Sequence, residues 1–221
     1  MTRPFLITGF EPYAGGGINP AYEIMKKVSG KIIYNTPVVG YGLPVSRELM
    51  RSKMKDIIEQ LNPVGIIGIG LWPGEPIIRI ERIGTNIADY EIPDNQGIRV
   101  RNERVSQNAL SAYETTLPIH KIEAGLLSKG IPARLSSTAG TFLCNAYLFS
   151  IMEIIFSSGN IIPAGFIHVP YLPEQVAELL KSIQSDMTTE LHQRFDLASM
   201  DLHMMTNAIE FAIKTSLKYV S

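Results

Sequence analysis

The sequence contains one cysteine, at position 144, and almost no net charge. A single thiol cannot form an intramolecular disulfide, and it is too few for a zinc cluster, so we expect no metal site. Twenty basic residues nearly balance 21 acidic ones, which leaves a formal net charge of -1. Proteins that bind nucleic acid or anionic lipid typically carry an excess of basic residues, and this chain has none. We therefore expect neither as a partner.

Long apolar runs are also missing. The most apolar predicted helix, around Ala146–Phe156, includes Glu153 and is shorter than the roughly 20 residues that cross a bilayer. The apolar run near the N-terminus is too short for a signal peptide. These features predict a cytoplasmic protein without a membrane partner.

No nucleotide-binding motif accompanies the glycines at positions 15–17. They lack the following G-K-[ST] of a phosphate loop, and no G-x-G-x-x-G occurs in the chain. An ordinary loop is the simpler interpretation, and a phosphate-using enzyme with these glycines as an anion loop remains an alternative.

Alternating apolar strands and amphipathic helices predict an α/β fold. We expect residues 1–221 to form a single domain with a twisted, largely parallel central sheet and helices on both faces. The polar stretch 98–112 is predicted to be a surface excursion. The predicted strands are 5–8, 38–45, 64–69, 77–92, 132–136 and 164–168. The predicted helices are 20–28, 46–61, 118–129, 145–156, 173–183 and 200–219.

The lone cysteine lies where a loop of small residues becomes an apolar helix. At such a position the helix dipole is expected to lower the pKa of the Cys144 thiol. Strands 132–136 and 164–168 are joined through a helix, which predicts a parallel pair with both carboxyl ends at one edge of the sheet. His168, at the end of the second strand, would then lie near Cys144.

We assign the other three histidines, His120, His192 and His203, to helices. They have no such link to the cysteine. A neighbouring imidazole turns a thiol into a nucleophile, and a carboxylate behind the imidazole fixes its tautomer. Glu81 is a candidate for that carboxylate, since a charged group on an apolar strand needs a partner. Backbone N–H groups at the helix start are candidates for an oxyanion hole.

Each of these residues also has a purely structural interpretation. Lone cysteines are usually small buried hydrophobic residues. His168 is also consistent with an ordinary strand end, and Glu81 with an ion pair to Arg79 or Arg82. Spacing alone does not decide between the two.

Further motifs are spread along the chain up to about Gln175. They are Thr8-Gly-Phe-Glu-Pro-Tyr13 with Asn19-Pro20, Ile80-Glu-Arg-Ile83 with Asn86, Ile92-Pro-Asp-Asn95, Ala139-Gly140 with Leu143-Cys-Asn145, and Gly165-Phe-Ile-His-Val-Pro-Tyr171 with Pro173-Glu-Gln175. In order and spacing they resemble the pyroglutamyl peptidase I (pyrrolidone-carboxylate peptidase) family of cysteine peptidases.

The resemblance implies an enzyme without metal or cofactor that removes N-terminal 5-oxoproline from peptides, commonly as a homo-oligomer, a tetramer or dimer. It implies that Cys144 is the nucleophile, His168 the base and Glu81 the orienting carboxylate. It also implies a pocket for the small, uncharged lactam ring, with apolar walls and a few amide-type hydrogen bonds. That pocket would be built from Phe10, Tyr13, Asn19, Phe142 and Leu143.

Three positions depart from the family pattern. Family members often carry arginine at the positions of Glu75 and Glu91, and some carry a polar residue at that of Leu71. An arginine near a thiolate lowers the pKa of the thiol, so its loss bears on efficiency, although Arg79 and Arg82 are candidates to compensate. A non-catalytic relative that binds pyroglutamyl or other cyclic-amide ligands is therefore the second hypothesis.

Overall fold

A computed structural model describes residues 2–13, 17–184 and 197–219 of the chain. Most predicted elements form, with ends shifted by a few residues. The helices are α1 (Pro20–Val28), α2 (Arg47–Leu61), α3 (Ile119–Ser128), α4 (Leu143–Ser158), α5 (Pro173–Gln184) and α6 (Leu202–Leu217). The strands are β1 (Phe5–Phe10), β2 (Ile32–Ile33), β3 (Thr36–Leu43), β4 (Gly65–Leu71), β5 (Ile78–Glu81), β6 (Ile83–Thr85), β7 (Ala112–Glu114), β8 (Ala133–Ser136) and β9 (Ala164–Val169).

The predicted α/β class is confirmed. In the described residues seven strands form one sheet in the order β2-β3-β1-β4-β9-β5-β8, and β6 pairs with β7 in a separate two-stranded sheet. Strands β3, β1, β4 and β9 are mutually parallel. Their carboxyl ends therefore meet at one edge, where ligands of open α/β sheets bind.

The predicted parallel pairing of strands 132–136 and 164–168 is wrong. β8 is parallel to β5, but β5 lies between β8 and β9 and is antiparallel to β9. Register places Arg79 opposite His168, whereas Ser136, at the end of β8, lies at the level of Phe166. The chain after β8 must therefore turn back before α4 can begin near His168.

The prediction of one continuous strand over 77–92 is also wrong in its length. It breaks at the exposed Arg82 into β5, in the main sheet, and β6, in the small sheet. Both faces of β5 are buried, so alternation along this segment does not separate a core face from a solvent face. The stretch 98–112 is largely irregular as predicted, although Val100 and Val105 are buried and β7 begins at Ala112.

Helices cover both faces of the sheet. On one face α1, α3 and α6 pack against residues such as Ile7 and Ile167. On the other face α2 and α4 pack against residues such as Leu6 and Phe166. The apolar stripe of α6 thus belongs to the core. No helix in the described part of the chain has the length and hydrophobicity to cross a bilayer.

Two helix starts show how local sequence positions these elements. Asn19 caps α1, because its side-chain oxygen accepts a hydrogen bond from the Ala21 N–H at 3.1 Å. Ser46 precedes α2 but forms no side-chain cap; its hydroxyl donates to Gln96 Oε1 at 3.0 Å instead. Ser46 therefore ties the helix start to the loop after Pro93.

Candidate active site

A pocket of about 340 Å³ opens at the edge where β1, β4 and β9 end. Cys144 and His168 both line it, so the two residues predicted to react meet at one cavity. Phe10, Tyr13, Asn19, Phe142 and Leu143, the predicted lactam pocket, all line the same cavity. The remaining lining residues are Val45, Leu71, Trp72, Pro73, Asp89, Glu91, Ile92, Ala139, Gly140 and Thr141.

Cys144 lies in the first turn of α4, because the helix begins at Leu143, earlier than predicted. The next residue, Asn145, is fully buried and fixes this turn. Its amide oxygen accepts from the Thr85 N–H at 2.8 Å, and its amide nitrogen donates to the carbonyls of Thr85 and Ile87 at 2.9 and 2.8 Å. The start of the helix is therefore anchored to β6 beside it.

Two glycines of β4 allow α4 to approach the sheet closely. A Cβ on Gly68 would lie 2.2 Å from the Tyr147 ring, and one on Gly70 would lie 2.8 Å from Cys144 Sγ. Gly70 is also the residue that pairs with His168 across β4 and β9. A side chain at position 70 would occupy the space next to the sulfur, so this glycine is part of the site.

His168 is held by a buried carboxylate. Its Nδ1 lies 2.8 Å from Oε1 of Glu81, and both side chains are almost completely buried. A carboxylate accepts rather than donates, so Nδ1 carries the hydrogen and Nε2 is left as the free acceptor. Glu81 lies behind His168 and does not line the pocket. This is the arrangement in which a carboxylate fixes the tautomer of a base.

Burial raises the pKa of the Cys144 thiol to about 12, and the negative charge of Glu81 adds to this rise. A hydrogen bond from the Cys144 backbone N–H acts in the opposite direction but is smaller. The prediction that the helix start lowers the thiol pKa is therefore wrong for the free protein. The dipole of one helix does not offset the loss of hydration and a nearby carboxylate.

Burial lowers the pKa of His168 from its usual value near 6.5. Glu81 opposes this shift through its hydrogen bond and its charge, while Arg79 reinforces it. Both shifts favour the neutral forms, a thiol at Cys144 and an imidazole at His168, in the free protein. In general, a neutral pair of this kind can form the thiolate by transfer of the thiol proton to the imidazole.

A buried arginine links the parts of the site, although the sequence suggested it only as a partner for Glu81 or as a compensating charge near the thiolate. Arg79 donates to Glu81 Oε1 at 3.3 Å, to Ser136 Oγ at 2.7 Å and to the Thr138 carbonyl at 2.8 Å. It thereby holds the chain that returns from β8 towards α4. Arg79 is therefore both the partner of Glu81 and the support of this return segment.

Trp72 was missed by the sequence prediction. The guanidinium carbon of Arg79 lies 3.7 Å from the centre of its ring, and the His168 ring meets it edge-on at 5.0 Å. Trp72 follows the glycines of β4, and its backbone N–H donates to the Val169 carbonyl at 3.0 Å. Trp72 is the only tryptophan and lies in the loop that follows the predicted strand 64–69, at the sheet edge where ligands bind, which is a signal in the sequence.

Two of the other three histidines are described by the structure, and neither joins the site. His120 lies in α3 and His203 in α6, as predicted, and neither lines the pocket. His192, Gly15 and Gly16 lie outside the described residues. Among the residues that are described, no group of three or more His, Cys, Asp or Glu side chains could hold a metal ion.

Together the fold and the site define a class of protein: an α/β protein equipped for acyl transfer through a cysteine, with an imidazole and a buried carboxylate in support. The model of the pyroglutamyl peptidase family matches residues 3–219 of the chain. The chain therefore belongs to the pyroglutamyl peptidase family.

Individual relatives agree with this assignment. The pyrrolidone-carboxylate peptidase of Thermococcus litoralis is 39% identical over 218 residues, which cover 99% of this chain and 94% of the relative. That of Yersinia pseudotuberculosis is 34% identical over 98% of this chain and 94% of the relative. A solved structure of a mutant pyrrolidone carboxyl peptidase from Pyrococcus furiosus superposes with a TM-score of 0.91 at 35% identity, over 99% of this chain and 100% of that chain.

Proposed function

We propose that the protein removes N-terminal pyroglutamate from peptides by cysteine catalysis, with Cys144 as the nucleophile. The observation that carries this proposal is the juxtaposition of Cys144 with His168 at an apolar pocket, with Glu81 bonded to the far nitrogen of the imidazole. The names of the relatives support the same activity. The peptide substrate brings no charge at its blocked N-terminus, and the pocket suits an uncharged ring.

In the first step His168 Nε2 takes the proton of the Cys144 thiol as the sulfur attacks the carbonyl carbon of pyroglutamate. The tetrahedral oxyanion faces the N–H groups in the first turn of α4, which have no partners within the helix. His168 then gives its proton to the leaving amine, and the C–N bond breaks. The products of this step are a thioester on Cys144 and the shortened peptide.

In the second step water replaces the leaving amine. His168 removes a proton from the water, which attacks the thioester carbonyl, and the collapsing intermediate releases 5-oxoproline. The sulfur regains its proton from the imidazolium. Glu81 keeps Nδ1 protonated and stabilises the imidazolium formed in each step.

The proposed lactam pocket combines aromatic walls with amide groups. Phe142 packs edge-on against Tyr90 at 4.7 Å between ring centres and lies 6.4 Å from Tyr13. Asn19 is held by its own hydrogen bonds, since its amide nitrogen donates to the Glu11 carbonyl at 3.0 Å. We propose that these residues enclose the ring on three sides.

A chromogenic pyroglutamyl amide tests the function directly. We expect Cys144→Ser to abolish turnover while the circular dichroism spectrum stays that of the native fold. We expect Glu81→Gln to lower kcat by roughly 10²- to 10⁴-fold, because the imidazole loses both its tautomer and the stabilising charge. Full activity in the Cys144→Ser variant would reject the mechanism, and near-native activity of Glu81→Gln would remove Glu81 from it.

The alternative of a non-catalytic relative depended on the charges at Glu75 and Glu91. Glu75 does not face the pocket; it is buried and bonded to Arg79 and Arg134. Of these two glutamates, only Glu91 lines the cavity. For this alternative, 5-oxoproline would bind in calorimetry to a protein that hydrolyses no pyroglutamyl amide.

We also propose a single α/β domain over residues 1–221, a homo-oligomer, either a dimer or a tetramer, and a cytoplasmic location. Resemblance to the family supports the assembly, and a nucleophilic thiol that must stay reduced supports the compartment. Light scattering coupled to size-exclusion chromatography tests the assembly. A monomer at micromolar concentration would contradict it.

A further inference from the structure

A second groove, of about 690 Å³, continues from the active-site pocket. Four residues line both cavities: Tyr13, Leu71, Pro73 and Ile92. The groove then runs along the first two turns of α5, where Glu174, Gln175 and Glu178 line it. A chain that leaves the pocket past the shared residues enters this groove directly.

The chemistry of the proposed reaction requires such an exit. When the ring fills the pocket and its carbonyl carbon lies at Cys144, the residues after pyroglutamate have to leave the cavity. We propose that the groove binds this leaving peptide and favours lysine or arginine at its first two positions. The inference rests on the proposed function and adds a substrate preference to it.

The charge of the two cavities favours a basic peptide. Their linings include carboxylates but, within the described part of the chain, no lysine or arginine. Two of the carboxylates have partners: Asp89 pairs with Arg101 at 3.2 Å, and Glu178 with Lys181 at 2.6 Å.

Two further carboxylates remain available. Glu91 in the pocket and Glu174 in the groove form no ion pair with any residue that the structure describes. Glu91 lines the pocket and Glu174 lines the groove, and the shared residues connect the two cavities. Their charges therefore act on the first residues of a peptide that passes from pocket to groove.

The groove also offers an apolar floor for a long side chain. Ile18 and Ile92 are 42% and 43% exposed, and Tyr171 lies beside them in the lining. Lysine and arginine pack their aliphatic stems on such surfaces and keep their charged ends in water. A glutamate at the same position would gain less packing and would meet carboxylates of its own sign.

The wall of the groove is held in place before any peptide binds. The amide nitrogen of Gln175 donates to the Ile18 carbonyl at 3.0 Å, and its amide oxygen accepts from the Leu172 N–H at 3.0 Å. One side chain thus joins the start of α5 to the segment before α1. A groove with a fixed wall costs little ordering when a peptide binds.

Peptides that differ in one residue test the preference. We expect kcat/KM to fall in the order pyroglutamyl-Lys-Ala-amide, pyroglutamyl-Gln-Ala-amide, pyroglutamyl-Glu-Ala-amide. The expected ratio between the first and last is about tenfold at low ionic strength, because each exposed charge pair contributes a factor of a few. At 1 M salt the ratio should fall towards one, since the screening length is then about 3 Å. A ratio within twofold at low salt, or a reversed order, would overturn the proposal.

Single variants locate the effect. We expect Glu91→Gln and Glu174→Gln each to reduce the Lys/Glu ratio by about two- to fivefold, as removal of one exposed pair does. Glu59→Gln is the matched control, because Glu59 is exposed on α2 and lines neither cavity, so the ratio should not change. An unchanged ratio in both the Glu91→Gln and the Glu174→Gln variant would contradict the assignment of these carboxylates.

A binding measurement separates this inference from the proposed function. Calorimetric titration of the Cys144→Ala variant with the same three peptides reports their relative affinity without turnover. If the native protein does not hydrolyse a neutral chromogenic pyroglutamyl amide, the proposed function is rejected but the groove preference is not. Equal affinities of the variant for the lysine and glutamate peptides would reject the groove preference alone.

Discussion

Arg79 donates a hydrogen bond to Glu75 at 3.1 Å inside the protein, where both side chains are more than nine-tenths buried. Arg134 adds a second cation to the same carboxylate, at 2.8 Å. The family departure at Glu75 is therefore matched inside this chain by an arginine four residues later. Arg79 also bonds to Glu81. The Arg79–Glu75 ion pair is therefore linked, through Glu81, to the proposed base His168.

Breaking this buried network should destabilise the fold. We expect Arg79→Met to lower the free energy of unfolding by about 3–5 kcal/mol, because it removes the buried cation that Glu75 and Glu81 share and leaves Glu75 with only the half-exposed Arg134. In the double variant Arg79→Met/Glu75→Gln, one of those charges is gone, so the loss should be smaller than the sum of the two single losses by about 1–3 kcal/mol. Urea unfolding measures all three. Strictly additive losses would show that the two residues do not interact.

The acid side of the activity profile should report His168. The base must be neutral to accept the proton of the thiol, and burial lowers its pKa below the usual value near 6.5. We therefore expect kcat/KM for a pyroglutamyl amide to hold through pH 6.5 and to fall only at lower pH. Arg79 contributes to the lowered pKa, so Arg79→Met should move this fall to higher pH. A native profile that already falls above pH 7 would contradict the assignment.

Alkylation of the free protein should report the thiol itself, since Cys144 is the only cysteine. Its pKa of about 12 means that the thiolate fraction, and hence the iodoacetamide rate, should rise about tenfold per pH unit between pH 7 and 9. Mass spectrometry of the labelled protein gives the rate. A rate that is already constant near neutral pH would instead demonstrate a resting thiolate–imidazolium pair.

A methyl group at Gly70 should damage the site more than the fold. In Gly70→Ala the new Cβ would lie 2.8 Å from Cys144 Sγ and 2.7 Å from the Phe166 ring, so the sulfur has to move. A displacement of about 1 Å costs on the order of 100-fold in rate, and we expect kcat to fall by that factor.

Gly65→Ala is the matched control in the same strand. Its Cβ would meet the Phe5 ring at 2.4 Å, away from the pocket, so it should lower stability while the kcat of the folded protein stays native. Steady-state kinetics beside thermal melts separate the two effects. Equal losses of kcat in both variants would show that the close approach at Gly70 is not specific to the site.

The sequence by itself determined which groups are available. One cysteine before an apolar run, a histidine at the end of a buried strand and a glutamate on another could be read from residue type and local pattern. Pattern also predicted the α/β class and most helices, since amphipathic periodicity depends on neighbours a few residues apart. All five predicted pocket residues line the cavity, and their proposed contacts with substrate stay a prediction.

Only the tertiary structure decided how these groups meet. A helical connection between β8 and β9 suggested parallel neighbours, but β5 lies between them and reverses the direction. Which strands pair depends on long-range packing, which no local pattern encodes. Cys144 and His168 line one pocket because the chain after β8 turns back, and Arg79 binds this segment at the Thr138 carbonyl.

The charge balance of the site was likewise a matter of three-dimensional structure. The sequence suggested a thiol pKa lowered by a helix, whereas burial and Glu81 raise it. Desolvation depends on all surrounding atoms, so residue order alone cannot give its size. In the same way Glu75, an apparent reversal of charge in the sequence, is neutralised by Arg79 and Arg134 in the fold.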